Sequence, residues 1–213
     1  MSIQKVTIVG TGSVGSALAR NFLRHGIAVQ FAARDVAKAR EATAPLGERA
    51  SVVETRSLQG GIEALFLAVP ANAAGSVLEE ASGLAAGTIV VDCTNPLKWD
   101  EGPVHTPPPE GSITAQLAAR YPRLRLVKAF NTFGAEFHDQ AALGATAADL
   151  YLAGNDADAK RTIGELARTL GFDPVDVGPL RNAAHLESLA MLWIHLATVG
   201  KQGRQVAFKL LRR

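Results

Sequence analysis

The chain has 213 residues, of which 47% are hydrophobic, and its formal net charge at pH 7 is +2. This length and composition suffice for one large domain or for a domain with a small appendage, and the low charge argues against general nucleic-acid binding. Cys93 is the single cysteine, which excludes an intramolecular disulfide. Because we see no signal peptide and no apolar run long enough to span a bilayer, we expect a cytoplasmic protein without membrane contacts.

The first stretch of the chain predicts a strand, a glycine turn and a helix. The apolar run 3–9 is typical of a buried parallel strand, and residues 16–24 carry apolar side chains at helical spacing. Between them, Gly10 permits a tight turn, Gly12 lets the backbone approach a pyrophosphate, and Gly15 lets helix and strand pack closely. The helix start offers unpaired N–H groups to phosphates. The alternative is a glycine-rich turn without a ligand.

The end of the second predicted strand, 27–33, bears on which dinucleotide binds. An NAD site typically has an acidic residue there, but this strand closes in Ala33 followed by Arg34. The planar guanidinium of Arg34 suits a 2′-phosphate, and Lys38 adds a positive charge one helical turn later. A shift of one residue would make Asp35 an NAD-type carboxylate, although Asp35 could also cap the next helix. We predict a preference for NADP over NAD.

Strands and helices alternate further along the chain, as in a parallel doubly wound sheet. The further strands are predicted at 51–54, 64–69, 88–92, 125–130, 150–153 and 173–177. The further helices are predicted at 36–44, 71–85, 113–121 and 156–170.

From Pro179 onward we expect helix, with a basic, solvated helix end; the alternative is that these basic residues bind an anionic ligand. The basic residues there are Lys201, Arg204, Lys209, Arg212 and Arg213. The predicted fold class is α/β, a Rossmann-type doubly wound parallel sheet with a small, mostly helical C-terminal part. We divide it into a dinucleotide-binding domain, 1–145, and a small α/β to helical region, 146–213, with acceptor-site and dimer contacts.

The segment 95–111 contains five prolines among polar residues, which neither a helix nor a central strand tolerates. We therefore predict a long surface loop. It follows the carboxyl end of a strand, where the ligand crevice of an open α/β sheet lies, and this position indicates a substrate rim or a lid.

Several segments together resemble the NADPH:coenzyme F420 oxidoreductase family, the F420-dependent NADP reductases. They are the glycine turn, Ala33-Arg34, and the stretches 92–96, 127–132 and 171–189. The resemblance implies a Rossmann domain that binds NADP on the glycine turn. It also implies a deazaflavin (coenzyme F420) or flavin-like acceptor stacked on the nicotinamide. The same domain resembles the cytoplasmic portion of membrane ferric reductases.

The resemblance also implies where the cofactor lies. The residues implied for the glycine turn and pyrophosphate are Gly10, Thr11, Gly12, Ser13 and Val14. Those implied for the ribose phosphate are Ala33, Arg34 and Lys38, with Val69 and Pro70 along the ribose. Those implied around the nicotinamide are Thr94, Asn95, Ala129, Asn131 and Thr132, for which ordinary turn chemistry is the alternative. Ala33 departs from the family's Ser or Thr, which removes one hydrogen bond to the 2′-phosphate.

Direct hydride transfer asks the protein mainly to hold two rings face to face and to exclude water. We therefore assign no catalytic residue, and we predict no metal site because no His, Cys or carboxylate spacing indicates one. His138 is either a proton donor or a helix-surface residue, and His185 and His195 are expected to pack or to cap a helix.

Two other functions stay open at the level of sequence. One is an NADPH-dependent reductase of a small carbonyl or imine acid, similar to β-hydroxyacid dehydrogenases. The other is a non-catalytic NADP-binding protein, since fold does not fix function. The expected partners are a small-molecule electron acceptor and, from the apolar stretch 186–199, a second copy of the chain.

Overall fold

Residues 3–213 are described by the computed structural model, in which most strands belong to one eight-stranded sheet. The strands of this range are β1 (Lys5–Val9), β2 (Ala28–Ala33), β3 (Ala50–Glu54), β4 (Ala64–Leu67), β5 (Ile89–Asp92), β6 (Leu97–Trp99), β7 (Pro103–His105), β8 (Arg125–Lys128), β9 (Ala142–Leu143), β10 (Thr146–Ala147), β11 (Asp149–Gly154) and β12 (Asp173–Asp176). The α-helices are α1 (Ser13–Arg24), α2 (Val36–Thr43), α3 (Ala74–Glu80), α4 (Ile113–Arg120), α5 (Ala135–Asp139), α6 (Ala157–Thr169) and α7 (Ala183–Ala197).

The strand order in the large sheet is β12-β11-β8-β5-β4-β1-β2-β3. Neighbouring strands run parallel except for β11, which is antiparallel to β8. The chain winds outward from β1 in one direction and resumes at β4 on its other side, so β1 and β4 flank a topological switch point. This is the predicted Rossmann-type fold, which is confirmed. β11 and β12 extend the same sheet beyond residue 145.

Apolar side chains pack on both faces of this sheet. One core contains Phe22 of α1 and Ile163 of α6, and the other contains Leu78 of α3 and Leu117 of α4. The rings of Phe22 and Phe66 meet edge to face with centroids 5.2 Å apart. Full burial of one such side chain contributes about 1.5–3 kcal/mol. Because both faces are covered, the strands are continuous apolar runs rather than alternating ones.

Each predicted strand forms, with ends that differ from the prediction by at most two residues. The helix predicted at 71–85 is shorter, because a 3₁₀ turn at Ala71–Ala73 precedes α3 and α3 ends at Glu80. Gly83 then lies so close to the Leu58 carbonyl that a Cβ there would press on it, which commits this segment to a turn.

The proline-rich segment 95–111 is not wholly irregular as we predicted. Its first part forms an antiparallel hairpin of β6 and β7, which pair with each other outside the large sheet. Pro103 is tolerated because it is the first residue of an edge strand. The hairpin projects from the carboxyl end of β5, and the Trp99 side chain on it is 59% exposed.

The prediction of helix to the end of the chain is wrong beyond Ala197, where α7 stops. The tail folds back because the indole Nε1 of Trp193 donates to the carbonyl of Val206 at 2.7 Å. Arg204 pairs with Glu136 at 2.5 Å, and Lys209 pairs with Asp149 at 2.9 Å. These basic residues therefore fasten an extended tail and do not form a solvated helix end.

Candidate functional site

The glycine turn joins β1 to α1 at the switch point of the sheet. Gly10 has a φ of 114°, and a Cβ there would overlap the carbonyl oxygen of Ala68, which follows β4. A Cβ on Gly15 would overlap the carbonyl oxygen of Gly10. These two glycines are therefore required by the packing of the protein itself, as predicted for the first and third positions of the motif.

Gly12 is different, because a Cβ there would find no atom within 4 Å. It is the N-cap of α1, has no side-chain cap, and accepts the first helical hydrogen bond from the Ser16 amide at 2.9 Å. The N–H groups of Ser13, Val14 and Gly15 belong to the first turn and so lack intrahelical partners. Gly12 and Ser13 are exposed, so the helix start presents donors to an open space suited to an anion.

Arg34 follows the last residue of β2, Ala33, and its side chain is exposed. Its Nη2 atom donates to Ser76 Oγ at 3.1 Å, and its Nε atom lies 2.6 Å from Glu80 Oε1. Asp35 accepts from the amide of Lys38 at 3.0 Å and is the N-cap of α2. Asp35 is thus engaged as a helix cap, one of the two roles that the sequence left open, and Arg34 is the group at the strand end.

The other predicted cofactor residues come together at the carboxyl edge of the sheet. Val69 and Pro70 follow β4, Thr94 and Asn95 follow β5, and Ala129, Asn131 and Thr132 follow β8. Asn95 and Asn131 connect the ends of β5 and β8. The Asn95 side-chain amide donates to the Asn131 backbone carbonyl at 2.9 Å, and the Asn131 side-chain amide donates to Asn95 Oδ1 at 2.9 Å. Asn131 Nδ2 also donates to the Leu186 carbonyl of α7 at 3.1 Å.

Two side-chain oxygens at this edge are buried and have no hydrogen-bond partner among residues 3–213. They are Thr94 Oγ1 and Asn131 Oδ1. The orientation of the Asn131 amide is fixed by its two acceptors, so Oδ1 is a true oxygen. Leaving such a group unpaired costs about 1–3 kcal/mol. Both oxygens lie in loops predicted to surround the nicotinamide, and together they offer one donor and one acceptor to a ligand.

Next to Thr94 lies a buried charge cluster that the sequence analysis missed. Asp92, Lys128 and Glu187 are each 0% exposed. Lys128 Nζ lies 3.1 Å from Asp92 Oδ2 and 3.1 Å from Glu187 Oε1, and it also donates to the Thr94 carbonyl. The ammonium group has three donors, and all three are used. Lys128 is therefore held as a positioning residue.

The two carboxylates of the cluster are also fully engaged. Asp92 accepts from the Thr114 hydroxyl at 2.7 Å and from the Thr94 amide at 2.9 Å. Glu187 accepts from the Ile113 amide at 3.0 Å, and its Oε2 atom lies 3.1 Å from Nε2 of His105 on the hairpin. The cluster thus fixes the backbone of Thr94 and joins β5, β8, α4, α7 and the hairpin. The available signal was a charged residue directly after buried apolar residues of a strand, at Asp92 after residues 89–91 and at Lys128 after Leu126 and Val127.

His138 is neither on a helix surface nor exposed as a proton donor. It is 1% exposed, and its ring nitrogens lie 2.8 Å from the Phe130 carbonyl and 3.0 Å from the Gly134 carbonyl. Burial lowers the pKa of His138, although both carbonyls act in the opposite direction. Phe130 has a φ of 60°, which is rare for a bulky residue. We infer that His138 holds this strained loop beside Asn131.

The remaining candidate groups are not arranged for chemistry. Burial raises the pKa of the Cys93 thiol, so it is no thiolate nucleophile. His185 is exposed on α7 instead of packed, and His195 lies exposed in the last turn of that helix.

Within residues 3–213, no group of three or more His, Cys, Asp or Glu side chains is placed to hold a metal ion. No helix of this same range is long and apolar enough to cross a membrane.

A cleft of about 540 Å³ lies between the ends of β4 and β5 and the hairpin segment. Pro70 and Asn95 line it on the side of the large sheet, and Leu97, Pro107 and Pro108 line it on the other. The proline-rich segment is thus a rim of the crevice, as its position in the sequence predicted. The glycine turn at the switch point of the sheet and this cleft at the carboxyl ends of β4 and β5 are the arrangement of a Rossmann-type dinucleotide-binding protein.

Comparison with known proteins shows what the chain is similar to. Residues 5–96 match the family model described as "NADP oxidoreductase coenzyme F420-dependent". A structure from Arthrobacter sp. FB24, inferred to be an F420-dependent NADP reductase, aligns with a TM-score of 0.84 and 25% identity over 99% of this chain and 100% of that one. A hypothetical protein from Sinorhizobium meliloti aligns with a TM-score of 0.72 and 29% identity over 100% and 97%.

A curated relative extends the comparison to a longer protein. The metalloreductase STEAP3 of Rattus norvegicus is 31% identical over 188 residues, which are 88% of this chain and 36% of that protein. The chain therefore spans about a third of this relative's length. Taken together, the comparisons confirm the resemblance found in the sequence, because residues 5–96 match the model of the F420-dependent NADP oxidoreductases and the Arthrobacter structure shares the fold.

Proposed function

We propose that this protein transfers hydride between NADP(H) and a deazaflavin such as coenzyme F420, or a flavin-like acceptor. The observation that carries the proposal is the pair of buried, unpaired oxygens Thr94 Oγ1 and Asn131 Oδ1 at the carboxyl ends of β5 and β8. A nicotinamide carboxamide has one acceptor oxygen and two N–H donors, which is the complement of a hydroxyl donor and an amide oxygen. The description of the family supports the acceptor class.

The residues present fit a dinucleotide along the whole crevice. The open space at Gly12 and the free amides at the start of α1 would receive the pyrophosphate. Arg34 would bind the 2′-phosphate with its planar fork, and the exposed Lys38 would add a second positive charge nearby. Ala33 offers the backbone of the strand end but no hydroxyl, so Arg34 carries most of this contact. When bound, NADPH supplies the hydride.

At the other end, the protein's contribution is position and exclusion of water. The Asp92–Lys128–Glu187 cluster holds the backbone of Thr94, and the Asn95–Asn131 pair holds the side chain that faces the carboxamide. The cleft between Pro70, Asn95 and Pro107 would admit the acceptor ring next to the nicotinamide. Preorganised geometry of this kind lowers the barrier of a direct transfer without a side-chain nucleophile.

A turnover assay tests the proposal. Purified protein is mixed with NADPH and, separately, with F420, a flavin, a ferric chelate, or small carbonyl and imine acids, and loss of the reduced-nicotinamide absorbance is followed. We expect oxidation with the deazaflavin or flavin. Oxidation only with ferric chelate, or only with the carbonyl or imine acids, would contradict the proposed acceptor. NADPH binding without any turnover would favour a non-catalytic binding protein.

Substitution of Thr94 by Val tests the nicotinamide end directly. Valine keeps the shape and removes only the unpaired hydroxyl, so we expect unchanged or slightly higher stability and kcat/KM for NADPH lower by about tenfold, which is about 1.4 kcal/mol. Thr162→Val is the matched control, because Thr162 is partly buried on α6 and its hydroxyl donates to the Asp158 carbonyl of its own helix. Wild-type kinetics in Thr94→Val would show that this hydroxyl does not meet the cofactor.

The homodimer stays a prediction. It is supported by Leu192 and Val199, which are 49% and 41% exposed on and just after α7, and by the exposed Trp99. Light scattering on the purified chain decides between a dimer and a monomer of 22.4 kDa.

A further inference from the structure

Arg34 already has an anionic partner within the protein. Its Nε atom lies 2.6 Å from Glu80 Oε1, and its Nη2 atom donates to Ser76 Oγ at 3.1 Å. The Ser76 hydroxyl in turn donates to the Ala73 carbonyl at 3.0 Å, so its oxygen faces Arg34 as an acceptor. Two parts of the guanidinium are thus directed at α3 rather than at the place where a phosphate would bind.

A second pair of opposite charges lies close by. Arg56 Nη2 is 2.7 Å from Glu54 Oε1, and Glu54 is the last residue of β3, next to β2 in the sheet. The hydrogen bond and the charge of Glu54 raise the pKa of Arg56, and the charge of Glu80 adds to this increase. Around Arg34, the protein therefore balances its arginines with its own carboxylates.

We propose that Glu80 limits the preference for NADP over NAD by competing with the 2′-phosphate for the guanidinium of Arg34. This inference rests on the proposed function, in which Arg34 binds that phosphate. A phosphate dianion can take two N–H donors of the fork and displace an exposed carboxylate, whereas a 2′-hydroxyl cannot. NADPH must therefore break the Arg34–Glu80 pair, and NADH leaves it in place.

The size of the effect follows from the exposure of the pair. The side chains of Arg34 and Glu80 are 61% and 35% exposed, and exposed ion pairs are generally weak. Removal of the competing carboxylate also removes its repulsion of the phosphate. We expect Glu80→Gln to lower the Kd for NADPH by about three- to tenfold and to change the Kd for NADH by less than about twofold.

Calorimetric titration of the full chain with NADPH and with NADH tests this, alongside adenosine 2′,5′-bisphosphate as a probe without nicotinamide. The matched control is Glu79→Gln, the neighbouring residue on α3, whose carboxylate pairs with Arg120 at 3.1 Å. The control should leave all three Kd values unchanged. An equal gain for NADPH and NADH in Glu80→Gln, or no gain for NADPH, would overturn the inference.

The same titrations in an Arg34→Ala background separate the two possible origins of the gain. If Glu80 acts by holding Arg34, most of the effect of Glu80→Gln disappears there and only the smaller gain from the lost repulsion of the phosphate stays; an undiminished gain would overturn the inference. Failure of the proposed function looks different: a chain that is no dinucleotide-binding protein binds neither NADPH nor NADH, and a chain that binds NADPH without turnover leaves the role of Glu80 in binding intact. If the wild-type chain binds NADPH and Glu80→Gln leaves the Kd for NADPH unchanged, only the proposed role of Glu80 is contradicted.

Discussion

The two ends of the crevice are built on different physical principles. The glycine turn is made of consecutive residues, and its requirements are those of backbone space at Gly10, Gly12 and Gly15. The end proposed for the nicotinamide is made of side chains from five distant segments, held by a buried cluster of charges. The glycine turn depends on residues without a side chain, and the other end depends on ion pairs and hydrogen bonds between side chains. Substitutions at the two ends should therefore differ in their effects on stability and on binding.

The largest expected effect is at the charge cluster. Lys128→Ala would leave the carboxylates of Asp92 and Glu187 buried without their cation, and we expect a loss of about 3–5 kcal/mol in the free energy of unfolding. Denaturant unfolding measures it. The control is Lys98→Ala on the hairpin, where the side chain is exposed and the expected change stays within about 0.5 kcal/mol. Similar small losses for both variants would show that the cluster does not hold this end together.

The same contrast explains what the sequence could and could not predict. The strand before Gly10 and the helix after it are each indicated by the spacing of apolar residues within one short segment. The strand that ends in Ala33, followed by Arg34, is indicated in the same way. Asp92, Lys128 and Glu187 were all present in the segments that resembled the family, but their meeting depends on the pairing of β5 with β8 and on the packing of α7. No local pattern encodes that meeting.

Two local predictions failed for the same kind of reason. The tail was expected to be helical, yet Trp193 and Glu136 bind it in an extended form. His138 was expected to be either a surface residue or a proton donor, and it is enclosed by two carbonyl groups. The conformation of the tail is determined by partners that are distant in sequence, and the position of His138 is determined by the carbonyl groups of a buried loop.

The next largest effect separates folding from binding at the glycine turn. Gly12→Ala places a methyl group in open space at a φ of −73°, so we expect little change in stability. The methyl group would meet the pyrophosphate, and the Kd for NADPH should rise more than tenfold, about 1.4 kcal/mol. Gly15→Ala is the contrasting variant, because its Cβ overlaps the Gly10 carbonyl and should destabilise the fold by about 1–3 kcal/mol. Calorimetric titration with NADPH measures the Kd of both variants, and thermal unfolding measures their stability. An unaltered Kd for NADPH in Gly12→Ala would contradict a pyrophosphate at this turn.

The smallest effect is a pH dependence that His138 gives to the nicotinamide end. Because burial lowers the pKa of His138, the unfolded chain binds a proton at a pH where the native protein does not. This contribution to stability is complete above the ordinary pKa of about 6.5 and decreases as the pH falls toward the lowered value, by at most about 1.4 kcal/mol per pH unit. Unfolding between about pH 7.5 and 5.5 is the useful range, because it lies above the ordinary pKa values of carboxylates.

His138→Gln should remove this part of the slope, whereas His185→Gln, at an exposed position on α7, should keep it. If the glutamine variant is too unstable for the comparison, the imidazole resonances of the wild-type protein report the same titration. A His138 ring that becomes protonated at its ordinary pKa in the native state would show that the two carbonyls fully offset the effect of burial. The loop that carries Asn131 would then be held by an imidazolium that donates to both oxygens, and the nicotinamide end would share the ionic construction of its neighbouring cluster.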